Sequence, residues 1–355
     1  MNTQFKITKT DRPKQKPDPD TLEFGTVFTD HMFLMDYNKS SGWHDGRIVP
    51  YGPISLDPAA AVLHYSQTMF EGLKAYRAKD GSIQLFRPDM NAKRTTLTNA
   101  RLCIPPIDED LFVNAIKAIV DFDREWTPNK ENTSLYVRPF IFANEAFLGV
   151  RPAEQFIFVI ILSPVGSYYK SGLAPTKIFV EDEYVRAVAG GTGFAKIGGN
   201  YAMSLKSQEK AHAHGFSQVL WLDGVERKYV EEIGTSNAFF VIGGEIFTAP
   251  LTGSILPGIT RDSVITLLRE WGFPVREERF SIQDIYDAHE KGQLDEVFAT
   301  GTATVISPVG LMRWSGREII VNNGNIGHLS QKLYDEISGI QTGLIEDRHG
   351  WIQKV

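Results

Sequence analysis

Only one cysteine, Cys103, occurs in this 355-residue chain, so neither an intramolecular disulfide nor a cysteine-based metal knuckle can form. The fold must be held by its own core, and a hydrophobic content of 42% suffices for one. Basic residues are also scarce: 37 Lys and Arg against 43 Asp and Glu leave a net charge of −6. Nucleic acid is thereby disfavoured as a main partner, because phosphate backbones are bound by clustered cations. A local basic pocket for one small anion is untouched by that argument. No apolar run reaches membrane-spanning length; the best, Phe156 to Leu162, stops at Ser163 and Pro164. The first twenty residues hold three prolines and mixed charges with no apolar centre, unlike a secretory signal. Their acidic residues speak against a mitochondrial presequence. The expectation is a cytoplasmic protein with a flexible N-terminal tail.

What is present is a mixture of helix and strand signals without a clean βαβ alternation, hence an α/β (α+β) fold. Length suggests two domains. Leu111, Ala115, Ile119 and Phe122 recur at helical spacing within 110–124. Leu135 to Ala143 and Phe156 to Leu162 are aromatic and β-branched, as buried strands are. The Pro, Gly and Ser cluster between Pro164 and Pro175 marks a linker. The expected division is a tail over 1–20, a first domain over 21–165, a linker over 166–176 and a second domain over 177–355. In the second domain, strands are expected at Lys177–Val180 and Gln218–Leu222, a single helix at Tyr201–His214, and a hairpin around Gly243-Gly244. Further helices are expected from Ile259 to Trp271, Ile282 to Lys291 and Ile326 to Ile337, with strands at Glu296–Ala299 and Val305–Val309.

Several familiar motifs fail. Gly191-Thr-Gly193 could begin a dinucleotide loop, but Lys196 stands where the third glycine belongs. A phosphate-binding P-loop fails too, since Ala195 precedes the lysine and Ile197 follows it. His212 and His214 fit the last turn of a helix, where the macrodipole favours them, better than a metal site. Neither His-Glu-x-x-His nor Gly-x-Ser-x-Gly occurs, and no metal is expected.

Three stretches carry chemistry in combination. Lys196 lies in Gly-Thr-Gly-Phe-Ala-Lys-Ile-Gly-Gly-Asn-Tyr201. A lysine that attacks a carbonyl must be partly desolvated so that its amine is neutral often enough. Flanking glycines allow close approach of a bulky ring. Glu231-Glu232-Ile-Gly-Thr-Ser-Asn237 offers a carboxylate which, if buried, needs a cationic partner such as a pyridinium nitrogen. Leu256-Pro-Gly-Ile-Thr-Arg-Asp262 opens a predicted helix whose first amides suit a phosphate, and Gly301-Thr-Ala-Thr304 adds a hydroxyl in a tight turn. Taken singly, each stretch is equally a surface loop, a turn or an ordinary helix start.

Together, Ala195-Lys-Ile-Gly-Gly-Asn-Tyr201, Glu232-Ile-Gly-Thr-Ser-Asn237, Leu256-Pro-Gly-Ile-Thr-Arg261 and Gly301-Thr-Ala303 resemble the class IV aminotransferases, and among them the branched-chain amino-acid aminotransferases. Phe24-Gly-Thr-Val-Phe-Thr-Asp-His31, His64-Tyr-Ser-Gln-Thr-Met-Phe-Glu-Gly72 and Ser134-Leu-Tyr-Val-Arg-Pro139 are similar to that family's substrate-side motifs. The resemblance runs from about Phe24 to the C-terminus.

It implies a two-domain, fold-type IV enzyme using pyridoxal 5′-phosphate, with a smaller N-terminal α/β substrate-side domain and a larger, barrel-like C-terminal cofactor domain. The reaction implied is reversible amino transfer between L-leucine, L-isoleucine or L-valine and 2-oxoglutarate. Lys196 would carry the cofactor and shuttle the proton. Glu232 would pair with the pyridine nitrogen and Tyr201 with the ring oxygen. Arg94, eight residues after Phe86, would bind the phosphate with Ile259, Thr260 and Thr302. Phe24, Tyr65, Phe70, Tyr136 and Tyr168 would form an aromatic pocket, with Arg138 for a side-chain carboxylate. Thr235 and the amide of Ala303 would hold the α-carboxylate. Leu148-Gly-Val150 resembles a loop reaching the neighbouring subunit, implying a homodimer. One departure stands out: Thr304 and Ser307 occupy the positions of a Cys-x-x-Cys pair found in mammalian members, so no thiol switch can operate there.

Two other readings stay open at this level. Relatives of the same fold act on D-amino acids or simple amines, or serve as aminodeoxychorismate lyases. A cofactor-binding regulator without turnover is the other, although the chain has no basic module for one.

Overall fold

Two apolar segments of the chain, 134–143 and 155–165, pair with each other over nearly their whole length. Around them a computed structural model describes residues 5–166 and 173–355. The described chain forms two compact units. The first holds 5–166 together with Lys196–Gly198 and Gly339–Val355; the second holds 173–195 and Gly199–Ser338. The unbroken division expected from the sequence missed both returning segments. Lys196–Gly198 joins the first unit through the bridge between Met69 and Ile197, and the C-terminus joins it by strand pairing. Such non-local pairing leaves no trace in composition. Part of the expected linker, 167–172, lies outside the described residues.

In the first unit the strands are β1 (Lys6–Ile7), β2 (His31–Asn38), β3 (Gly42–Pro50), β4 (Thr68–Phe70), β5 (Leu73–Arg77), β6 (Ile83–Phe86), β7 (Ser134–Ala143) and β8 (Gln155–Val165). They lie in the order β1-β3-β2-β8-β7-β5-β6, with β4 beside β7 and the C-terminal strand Ile352–Lys354 on β6. Helix Glu109–Phe122 starts at Asp108, whose carboxylate accepts from the Leu111 amide at 2.8 Å. Its apolar stripe meets the sheet, Phe112 stacking on Phe158 with ring centroids 5.4 Å apart. The described part of the tail expected to be flexible, 5–20, is instead tied down. Lys6 and Ile7 pair with Arg47 and Ile48, Phe5 packs edge-on against Phe33 at 4.9 Å, and the Lys14 amide reaches Asp30 at 2.8 Å. Gly46 makes this possible, since a Cβ there would sit 2.7 Å from the Phe5 ring.

The second unit is built on β9 (Thr176–Glu181), β10 (Gln218–Leu222), β11 (Val230–Ile233), β12 (Ser236–Ile242), β13 (Glu245–Thr248), β14 (Val275–Glu277), β15 (Leu294–Gly301) and β16 (Val305–Trp314). Pairing runs β11-β10-β9-β16-β15-β12 and returns from β12 to β11, a closed ring of strands that leaves no free edge within it. Side chains such as Val180, Leu220, Phe240, Val297 and Met312 belong to its buried core. Gly243 and Gly244 take positive φ, +58° and +83°, and turn β12 into β13 as the hairpin signal predicts.

The single helix expected over Tyr201–His214 is two, Gly198–Ala202 and Leu205–Ala213. Ser204 interrupts it, its hydroxyl donating to the Tyr201 carbonyl at 2.7 Å. No helix among the described residues is long and apolar enough to cross a membrane.

Candidate active site

Lys196 rides on a backbone held on both sides of its Cα. Its amide donates to Thr98 Oγ1 at 3.1 Å, and its carbonyl accepts from the Phe70 amide at 3.1 Å. Its Nζ lies 4.8 Å from the Phe70 ring centroid. The Arg138 guanidinium lies at the same distance from that ring, and donates to the Tyr136 hydroxyl at 3.0 Å. Phe24 meets Tyr136 edge-to-face at 4.8 Å. Four residues expected at the substrate pocket, Phe24, Phe70, Tyr136 and Arg138, thus form one cluster. Tyr65 is partly exposed, and its hydroxyl donates to the Leu148 carbonyl. Tyr168 lies outside the described residues.

The positions of these groups follow from strand geometry. Tyr136 and Arg138 alternate on one face of β7, and Lys74 of β5 stands directly opposite Tyr136. Gly72 leaves room for the tyrosine; a Cβ there would fall 2.1 Å from its hydroxyl oxygen. Lys74 is buried, which pushes its pKa down to about 8.

Arg94, expected to bind phosphate, is clasped by a residue that sequence reasoning did not single out. Glu71 accepts from Arg94 Nε at 2.7 Å and from Nη2 at 2.8 Å. Asn91 Nδ2 adds a bond at 2.7 Å and the Gly72 amide one at 3.1 Å. Burial would push the Glu71 carboxyl up, but the Arg94 charge and its hydrogen bonds, with Lys196 and Asn91, hold it below the ordinary carboxylate range. The only sequence signal was a glutamate followed by glycine; its burial decides its importance.

In the second unit, Glu232 is fully buried in β11, opposite Asn237 of β12. Its Oε1 accepts from Asn237 Nδ2 at 3.1 Å and from the Leu256 amide at 3.3 Å. Its Oε2 pairs with Arg186 Nη1 at 2.8 Å. Arg186, also missed in the sequence, bonds the Ser254 carbonyl at 2.9 Å and the Gly193 carbonyl at 3.3 Å. Helix Ile259–Glu270 begins after Gly258 with no side chain capping it, so the amides of its first turn, at Ile259 and Thr260, have no side-chain acceptor from a cap. Gly258 is required there, because a Cβ would meet Asn237 Oδ1 at 2.0 Å. Thr235 is exposed in the turn joining β11 to β12, after Gly234 at φ +59°. Thr302 and Ala303 are half-buried in the turn joining β15 to β16, and Tyr201 is half-buried in its short helix.

The second unit thus holds a buried carboxylate paired with an arginine and a helix start without a side-chain cap, and the first holds a lysine beside an aromatic–arginine cluster. The model of the amino-transferase class IV family matches residues 68–311, and the chain belongs to that family. Relatives that match nearly the whole chain include branched-chain enzymes. Branched-chain-amino-acid aminotransferase 2 of Bacillus subtilis is 56% identical over 351 residues, covering 99% of this chain and 97% of the relative. The Mycobacterium tuberculosis branched-chain-amino-acid aminotransferase is 48% identical over 337 residues, covering 94% and 92%. Among solved structures, the Escherichia coli branched-chain amino acid aminotransferase superposes with a TM-score of 0.78 at 28% identity, covering 91% of this chain and 98% of its own. The T.th. branched-chain amino acid aminotransferase, solved with pyridoxamine 5′-phosphate, gives 0.75 at 27%, covering 90% and 97%.

Proposed function

We infer that this protein transfers amino groups reversibly between L-leucine, L-isoleucine or L-valine and 2-oxoglutarate, using pyridoxal 5′-phosphate. The observation that carries this reading is the Phe24–Tyr136–Arg138–Phe70 cluster, in a chain colinear with branched-chain enzymes over nearly its full length.

The residues fit the cofactor. Glu232, buried and paired with Arg186, suits a protonated ring nitrogen. The first-turn amides of Ile259 and Thr260 suit a phosphate. When bound, pyridoxal phosphate supplies a reactive aldehyde and an electron-withdrawing ring that takes up the charge left when a substrate α-proton departs. Lys196 is assigned its attachment and the transfer of that proton. Its backbone is pinned by Thr98 and Phe70, so only the side chain swings. Arg94, Thr302, Ile259 and Thr260 are assigned the phosphate, and Tyr201 the ring oxygen.

The substrate-side cluster accounts for dual specificity. The rings of Phe24, Phe70 and Tyr136 offer apolar faces to an aliphatic side chain. Arg138 and the Tyr136 hydroxyl offer donors to the distal carboxylate of glutamate or 2-oxoglutarate. Thr235 and the Ala303 amide are assigned the α-carboxylate. Exposed Leu148 and Val150 beside Tyr65 support a homodimer with this loop at the subunit contact. A cytoplasmic location accompanies the reading.

The test is the visible absorption of the purified protein before and after L-leucine without a keto acid. Bleaching that 2-oxoglutarate reverses, and that Lys196→Ala abolishes, is expected. A band bleached by D-alanine but not by L-leucine would overturn the substrate reading. No band after adding pyridoxal phosphate would overturn the cofactor assignment.

A further inference from the structure

Strand β11 carries two adjacent glutamates, Glu231 and Glu232, and both are buried. Their surroundings are unequal. Glu232 has Arg186, Asn237 and the Leu256 amide. Glu231 accepts one hydrogen bond, from the Ser254 hydroxyl to its Oε1. Its Oε2 is buried with no partner among the described residues. A second bare carboxylate in that position would be costly, because the one nearby guanidinium is committed to Glu232.

The two acids are nevertheless linked. Ser254 donates its hydroxyl to Glu231, and its carbonyl accepts from Arg186 Nη1 at 2.9 Å. The same Nη1 is 2.8 Å from Glu232 Oε2. Through Ser254, Glu231 is thus tied to the guanidinium nitrogen that Glu232 contacts directly. The charges felt by Glu231 are Glu232 on its own strand, Arg186 on the loop after β9, and Asp223 at the end of β10. Asp223 itself faces Arg279 at 3.7 Å. Burial pushes Glu231 up to about 7, with the Ser254 bond and Arg186 opposing and Glu232 adding to the rise.

We propose that Glu231 is a positioning residue which, through Ser254, sets the place of Arg186 and is coupled in charge to Glu232. The proposal rests on the reading of Glu232 as the partner of the cofactor's ring nitrogen. In its protonated state Glu231 adds no second negative charge to that of Glu232 beside Arg186. When it loses its proton, the buried negative charge around that guanidinium doubles, and the environment that Glu232 offers the ring nitrogen becomes more negative. Glu231 touches no reacting atom, so its effect is read as a change in cofactor electronics with pH rather than as a lost chemical group.

Difference infrared spectroscopy across neutral pH, on the protein with and without pyridoxal phosphate, tests this directly, alongside a visible titration of the holoenzyme. A protonated-carboxyl band that disappears as pH rises through neutrality is expected in the natural protein and absent in Glu231→Gln. The holoenzyme titration should lose the matching step in Glu231→Gln. Ser254→Ala, which removes the bond favouring the ionised form, should move the step to higher pH. A residue that merely fills space would alter stability but not this step. Persistence of the step in Glu231→Gln overturns the inference while leaving the Glu232 reading intact. A Glu232→Gln holoenzyme with an unchanged visible spectrum overturns the Glu232 reading beneath it.

Discussion

Glu71 and Arg94 form a buried two-pronged ion pair, with 2.7 Å between Nε and Oε1 and 2.8 Å between Nη2 and Oε2. The pair fixes the direction of the guanidinium assigned to the phosphate, and couples it to β5 through the Gly72 amide.

Glu71→Ala should therefore destabilise the protein by about 3–5 kcal/mol, since it leaves a buried cation without its counter-charge. Denaturant unfolding measures this. The carboxyl is depressed below its ordinary value of 4.5, so its stabilisation is present above that pH and is lost as pH falls through the folded-state pKa. The gap between natural protein and variant should accordingly narrow in acid.

Gly72→Ala should damage activity more than stability. The added Cβ would fall 2.1 Å from the Tyr136 hydroxyl oxygen, so the tyrosine must shift and take its Arg138 contact with it. A displacement of that order can cost about 100-fold in rate. Steady-state kcat/KM for L-leucine and for 2-oxoglutarate should both fall, with a nearly unchanged Tm.

Arg138→Met should separate the two half-reactions. Losing a charge-assisted bond to the distal carboxylate is worth about 1.5–3 kcal/mol, roughly 10- to 100-fold. That loss should appear in kcat/KM for 2-oxoglutarate, whereas the single-turnover reaction with L-leucine changes little. Equal losses for both substrates would remove Arg138 from the role assigned to it.

Lys74→Met is expected to change the alkaline stability profile. Burial lowers the folded-state pKa of Lys74 to about 8 from 10.5. Between those values the unfolded chain binds the extra proton, so this group makes stability rise with pH. The penalty is full below about 8 and relieved towards 10.5. The methionine variant should lack that rise, as melting temperatures across the range would show.

Much of the local structure was legible beforehand because it is written in local physics. The stripe of Leu111, Ala115 and Ile119, the paired apolar runs around 134–143 and 155–165, and the Gly243-Gly244 turn all behave as their periods and φ preferences require. The break at Ser204 was not legible, since a serine in mid-helix can point to solvent or bond back to the turn before it, and only the fold shows which. Nor was the anchoring of the N-terminal residues, which depends on a groove opened by Gly46, far along the chain from Phe5.

The sequence alone determined the type of chemistry: a glycine-flanked lysine, an acid before Ile-Gly-Thr-Ser-Asn, and an amide-rich helix start are locally specified, and their order along the chain identifies the family. Tertiary structure alone decided which charged groups share a burial site. Glu71 beside Arg94, Arg186 beside Glu232, and Glu231 tied to Ser254 are separated by 23, 46 and 23 positions in the chain, respectively. A charge declares its role only once water is removed around it and a partner is brought within hydrogen-bonding distance. Burial and partnership of that kind are properties of the folded chain, and no residue pattern encodes them in advance.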